Sequence, residues 1–264
     1  MNVISALTNA KDSITPALAI LEETVEQVDH HTAITPQMRN FVCRSLLRGG
    51  QILDSINLLV ACARHQDIWV LCRTLCELAI NTCYLQVAPE IEFTRWSNYD
   101  LWTDERLILN LSSLVPGLED ALDPKELQKQ REQRKALEDS GIYKNLRGGS
   151  WSEKTMDERA KIADVPLHLT PGIFHTLYRL AVKIGDGFVH SSPKSLGAQK
   201  TPIVSPHGPS DAEMHATAQA LSMAATSVYA AINFTRVRFG LPQHPLADRF
   251  ADSLRIAYRD SGPF

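Results

Sequence analysis

The chain has 264 residues, 44% of them apolar, which is enough for a well-filled core in one large domain or two small ones. Lys plus Arg number 27 and Asp plus Glu 30, and the resulting formal charge of −3 argues against broad, non-specific binding to nucleic acid or anionic membrane. A local basic face is still allowed.

The N-terminal stretch Met1–Asp12 lacks a positive region followed by an apolar run and a small-residue cleavage site, so no signal peptide is expected and the cytoplasm is the default location. Helix starts recur as Ser, Thr or Asp followed by Pro, because proline at the first helical position gives up an N–H that has no partner there. They stand at Thr15-Pro16, Thr35-Pro36, Asp123-Pro124 and Thr170-Pro171. The runs between them carry apolar residues at spacings of three and four, and no Val/Ile-rich alternation is long enough for a sheet. The expected fold is all-α, a multi-helix bundle of about eight or nine helices near 16–30, 36–64, 67–87, 90–113, 124–139, 154–164, 171–190, 210–239 and 244–259. A single helical domain over 1–264 is expected, because the apolar helices need partners from both halves of the chain. Residues 191–209, rich in Pro and Gly, read as a surface loop.

In the second helix, Gly49-Gly50 marks a kink or a place where another part of the chain comes close. The helix at 67–87 is apolar nearly all round and should be central. The run Ile68–Val87 contains Arg73, Glu77, Asn81 and Gln86, which argues against a membrane span. Arg73, Glu77 and Asn81 recur every fourth residue and form one polar stripe. A buried guanidinium costs several kcal/mol unless paired, so the stripe is either an ion pair that fixes helix register or a cleft in which Arg73 holds an anion and Glu77 acts as a base or orienting group. Five cysteines at 43, 62, 72, 76 and 83 have no Cys-x-x-Cys spacing and suit a reducing compartment. Cys72, Cys76 and Cys83 share a face that a soft metal would accept, but small core residues are the expectation and no metal or cofactor is assigned.

Further along, Arg95 and Tyr99 share a face in Arg95–Trp102, a segment of the kind that anchors ligands or partners as well as one that packs its own rings. The helix and loop at 124–149 hold seven basic residues against four acidic ones, a mixed run that reads as a solvated face. The loop Leu146–Ser152, with Trp151, has glycine amides that would receive an anion, without the order of a phosphate-binding Walker loop. In the helix at 171–190, Ile173, Leu177, Leu180, Ile184 and Phe188 are expected to face the core, His175 and Arg179 to pair on the solvated side, and His190 to end the helix as a dipole partner or as an acid–base group. The Ala-rich helix at 210–239 suits a close helix–helix contact, either within the chain or in a homodimer.

The ordered set Leu71–Glu77, Arg95-x-x-x-Tyr99, Trp151-Ser, Met156-x-Glu-Arg-Ala160, Tyr178 and Phe188–Pro193 resembles the uncharacterised bacterial family called domain of unknown function 5677, an all-helical group, over roughly residues 40–195. The resemblance implies that the family's polar positions fall on Arg73, Glu77, Arg95, Tyr99, Trp151 and His190, and it brings no activity with it. A looser similarity joins it to HEPN-like bundles, many of them ribonucleases of toxin–antitoxin and phage-defence systems that use an Arg followed four to six residues later by a His. The matching pair here is Arg238 and His244, with Gly240 and Pro242 expected to break the helix between them.

Two functions follow as expectations. In one, the bundle binds a phosphate-bearing ligand, a nucleotide or RNA, with Arg73, Arg95, Tyr99 and Trp151 as contacts and Glu77 and His190 as catalytic groups. In the other, it is a non-catalytic protein-interaction module with a buried polar core.

Overall fold

A computed structural model describes residues 3–60, 65–99, 123–144, 146, 150–167, 172–182 and 210–246, and among these the chain is helical with no strand. The chain divides into two compact units, residues 1–86 with 156–264, and residues 87–155.

The larger unit is built from α1 (Val3–Asp12), α2 (Ile14–Asp29), α3 (Pro36–Val60), α4 (His65–Leu85), α7 (Met156–Asp164), α8 (Ile173–Leu177, continued by a π turn at Tyr178–Val182) and α9 (Asp211–Phe239). The smaller unit holds α5 (Glu90–Ser97) and α6 (Pro124–Ser140). The expected starts at Thr35-Pro36 and Asp123-Pro124 are observed: Met38 N–H reaches Thr35 Oγ1 at 3.4 Å, and Lys125 N–H reaches the Asp123 carboxylate at 2.9 Å. The Thr15-Pro16 start is displaced. α2 begins at Ile14 and Pro16 is its third residue, tolerated because the N–H groups of a first turn have no intrahelical acceptor. The sequence reading missed α1, which is separated from α2 by Ser13, a buried residue whose hydroxyl donates to Ala10 O at 2.6 Å.

α9 is the most enclosed helix. Its residues 217–236 are almost all buried, and it packs on α1, α2, α3, α4 and α8. Ala218, Ala220, Ala224, Ala225, Ala230 and Ala231 are committed to this chain's own core, so their close packing takes the intramolecular form. A capping box starts the helix: Glu213 N–H donates to Ser210 Oγ, and Ser210 N–H donates to the Glu213 carboxylate. Gly240, at φ 63°, ends it in a left-handed turn.

α3 runs unbroken through Gly49-Gly50, and the reason for glycine is close approach: a Cβ on Gly50 would meet Leu21 Cδ1 of α2 at 3.3 Å. α4 packs on α3, α9, α7 and the π turn. By length and composition α4 would cross a membrane, but 61% of its most apolar stretch is buried against the neighbouring helices.

In α8 the buried stripe is Phe174, Leu177 and Ala181, with Phe174 edge-on to Phe234 of α9 at 6.2 Å. Ile173 and Leu180, expected in the core, are half-exposed because the helix begins only after Gly172 and continues with the wider π turn. Residues 244–246 are not helical, which corrects the helix expected to start there. The sequence readings at 100–122, 183–209 and 247–264, including His190 and the loop at 191–209, lie outside the described residues.

Candidate functional site

The α4 stripe is real but less buried than expected. Arg73 Nε donates to Glu77 Oε1 at 3.1 Å and a terminal guanidinium nitrogen lies 3.0 Å from the same oxygen, with the two side chains 23% and 31% exposed. One turn on, Asn81 Oδ1 accepts from Arg159 of α7 at 2.6 Å. At 100° per residue, Arg73 shares its side of α4 with buried Trp69, Ile80 and Tyr84. The opposite side, with Leu75, Ala79 and Thr82, lines a shallow crevice with Gly49 of α3 and Val228 of α9. Asn81, one turn beyond Glu77, is the stripe residue that meets α7, and Arg73 and Glu77 keep part of their side chains in water beside the buried Trp69, Ile80 and Tyr84. The correction to a fully buried pair follows from this position, where water reaches both charges.

Asp164, at the end of α7, sets the start of α8. Its two carboxylate oxygens accept from Phe174 N–H at 2.8 Å and His175 N–H at 2.9 Å. Burial pushes its carboxyl above the ordinary carboxylate value, partly offset by those two N–H groups. Burial, followed by the nearby Asp164 charge, pushes the Cys83 thiol well up. His175 does not pair with Arg179. Its Nε2 meets Asp157 Oδ1 at 3.0 Å, and Asp157 also pairs with Lys161. The Lys161 hydrogen bond leads the effects that hold the Asp157 carboxyl below its ordinary value.

Among the described residues no group of three or more potential metal ligands occurs. The neighbouring Cys76 thiol, followed by burial, pushes the Cys72 thiol well up, and Cys76 meets Ser227 Oγ at 3.0 Å.

In the smaller unit, the Arg95 guanidinium is spent on its own surroundings. Nε donates to Ile142 O at 2.6 Å, and its terminal nitrogens donate to Glu92 and Glu153, each at 2.9 Å. Tyr143 OH closes the knot by donating to Arg95 O at 2.6 Å. Tyr99 and Trp151 belong to this same unit and are half-buried. Of the six residues singled out, Arg73 and Glu77 are brought together, Arg95, Tyr99 and Trp151 fall in the other compact unit, and His190 is outside the described residues.

Arg238 and His244 are separated as Gly240 and Pro242 predict. Arg238 Nε donates to Gln86 O at 3.3 Å, while the chain reverses after Gly240 and His244 Nε2 reaches Glu23 Oε2 of α2 at 2.9 Å. Leu246 N–H donates to His244 Nδ1 at 2.9 Å, which fixes the tautomer with its proton on Nε2. Arg236 completes this corner, donating to Thr24 Oγ1 at 2.9 Å and to Pro242 O. Sequence reasoning missed the group because its members come from opposite ends of the chain with no shared spacing.

No curated protein and no solved structure matches the chain. The family of unknown function DUF5677 matches over residues 39–199, more than half of the chain and including α4, α7 and α8, and the chain belongs to that family.

Proposed function

We propose that the larger unit binds a phosphate-bearing ligand, a nucleotide or RNA, through the Arg73 guanidinium, with Glu77 holding that guanidinium in place. The observation that carries the reading is the contrast among arginines. Arg95, Arg159 and Arg236 are buried, whereas the Arg73 side chain keeps 23% of its surface at the edge of a core helix. A guanidinium that water reaches at a helix edge is a planar donor fork of the kind that suits a phosphate. Arg238 and His244 face different partners, so this reading is one of binding and does not include a HEPN-like Arg–His cleavage step. The Arg95 knot supports the interaction-module alternative only for the smaller unit, where every guanidinium nitrogen serves the protein itself.

The test is calorimetric titration of the full chain with adenosine 5′-monophosphate and fluorescence polarisation with a labelled uridine hexanucleotide. A part-exposed i,i+4 ion pair contributes only about 0–1 kcal/mol to stability, so Arg73→Ala should melt within a few degrees of the parent. It should also lose about tenfold or more in affinity, with Arg73→Lys intermediate because lysine cannot present the fork. Equal affinity in parent and Arg73→Ala would refute the site.

A further inference from the structure

We propose that His175 is a phosphoryl-accepting histidine: its Nδ1 takes a phosphoryl group from a small phosphoramidate or acyl phosphate, with Asp157 as the positioning residue and Arg179 beside the incoming group. The transfer uses neither Arg73 nor Glu77. His175 is fixed at both ends. Its N–H donates to Asp164 at 2.9 Å, which sets the backbone at the start of α8, and its Nε2 lies 3.0 Å from Asp157 Oδ1. Asp157 is in turn held by Lys161, one turn on in α7. A carboxylate only accepts, so Nε2 carries the ring proton and Nδ1 keeps its lone pair.

The second ring nitrogen distinguishes this histidine. Nδ1 is not buried and meets no partner among the described residues, and the His175 side chain is 32% exposed. By contrast, His244 spends both nitrogens, on Glu23 and Leu246, and His31 and His215 bury Nδ1. His30 is exposed, but its Nδ1 meets a carbonyl, that of Glu26, in place of a carboxylate. An imidazole oriented by a carboxylate at one nitrogen and open to water at the other is suited to covalent catalysis as a nucleophile. The cation beside it selects a phosphoryl electrophile. Arg179 stands four residues on, and Tyr178 between them is helical at φ −58° and ψ −47°, so the two side chains are neighbours on the helix surface. Arg179 is exposed and has no partner among the described residues, which leaves its fork for two phosphoryl oxygens. In the transfer, the Nδ1 lone pair forms the N–P bond while the bond from phosphorus to the leaving group breaks. The electron pair of that bond departs with ammonia from a protonated phosphoramidate, or with a carboxylate from an acyl phosphate. The ring keeps its Nε2 proton, and Asp157 offsets the positive charge that the ring gains.

The experiment incubates the full chain with potassium phosphoramidate at neutral pH. Labelling is followed by peptide mass spectrometry and by ³¹P NMR, which separates Nδ1 from Nε2 adducts. In the parent, His175 should be labelled at Nδ1 about tenfold or more faster than His30, the exposed internal standard in the same chain. Asp157→Asn should melt within a few degrees of the parent, because part-exposed ion pairs add little to stability. It should also lower the His175 rate to that of His30 and give both isomers, since the ring is no longer held in one tautomer. Arg179→Ala should slow His175 labelling about tenfold and keep the Nδ1 isomer. No labelling of His175, labelling no faster than His30, or attachment at Nε2 in the parent would overturn the assignment. So would an Asp157→Asn variant labelled like the parent. An unchanged rate in Arg179→Ala would overturn the part given to that guanidinium.

Discussion

Gly172 and Asp164 offer a sharp test of how α8 is positioned. Gly172 has φ −65° and ψ 139°, values open to any residue, so its backbone does not require glycine. Space does. A Cβ there would lie 2.0 Å from Asp164 Oδ2, 2.4 Å from Cγ and 2.8 Å from Cβ, and no side-chain rotation relieves all three while keeping both hydrogen bonds to Phe174 and His175. Gly172→Ala should therefore expel the Asp164 carboxylate from the cap. Each bond from an N–H to a charged acceptor contributes about 1.5–3 kcal/mol, and release of the buried carboxylate to water returns part of this, leaving a net cost of about 2–4 kcal/mol. For a chain of this size that lowers the melting temperature by roughly 4–16 °C. The decisive arm is the double variant. With Asp164→Gly all three obstructing atoms are gone, and adding Gly172→Ala should then be neutral or stabilising by about 0.4–1 kcal/mol through loss of unfolded-state freedom. Thermal and urea melts followed by circular dichroism close this cycle, with an expected coupling of about 3 kcal/mol. Additive effects, or a single Gly172→Ala variant as stable as the parent, would refute the steric account.

Arg95→Ala should destabilise by about 3–5 kcal/mol, because it leaves the buried Glu92 carboxylate without its cation, and limited proteolysis should show cutting concentrated in residues 87–155. Cys72 and Cys83, fully buried and with thiols pushed well up, should resist a neutral-pH thiol reagent in the folded protein and react on adding denaturant; fast labelling without denaturant, mapped to these two by mass spectrometry, would contradict their burial. The two aspartates of α7 should respond oppositely to pH. Asp157 has a lowered carboxyl pKa, so its contribution is present above the unfolded value near 3.8 and is lost as pH falls through the folded value. Asp164 has a raised one, so its contribution is fully present below 3.8 and declines as pH rises through the folded value. Urea midpoints measured from pH 3 upward should show Asp157→Asn removing acid sensitivity and Asp164→Asn removing a decline in the opposite sense; slopes of the same sign would refute the assignment.

What the sequence disclosed was whatever a few consecutive residues settle. The Thr35 and Asp123 caps, the helical period of α3, α4 and α9, and the four-residue spacing of Arg73, Glu77 and Asn81 all depend on neighbours within one or two turns. The break after Phe239 was legible for the same reason, since Gly240 ends a helix by its own backbone preference. The Asp164 cap was not, because the acceptor belongs to the preceding helix and the position before α8 holds glycine, which gives no capping side chain. Nor was the burial of a charge. Arg73 lies on an apolar helix and Arg95 in a mixed polar segment, yet the structure reverses that order, burying Arg95 more deeply than Arg73.

That reversal bears on how arginine and glutamate pairs divide labour. Arg95 with Glu92 at i,i−3 and Arg73 with Glu77 at i,i+4 are equivalent as helix-surface pairs and, taken alone, would each contribute a few tenths of a kcal/mol. Tertiary packing separates them. Around Arg95 a second carboxylate, a carbonyl and a tyrosine close over the pair, so removing the cation strands a desolvated carboxylate and the cost falls on stability. At Arg73 water replaces whatever is removed, so the fold loses little by substitution and gains little from the charge. A part-exposed guanidinium of this kind on a core helix is the one whose removal should leave the bundle standing and alter what it binds.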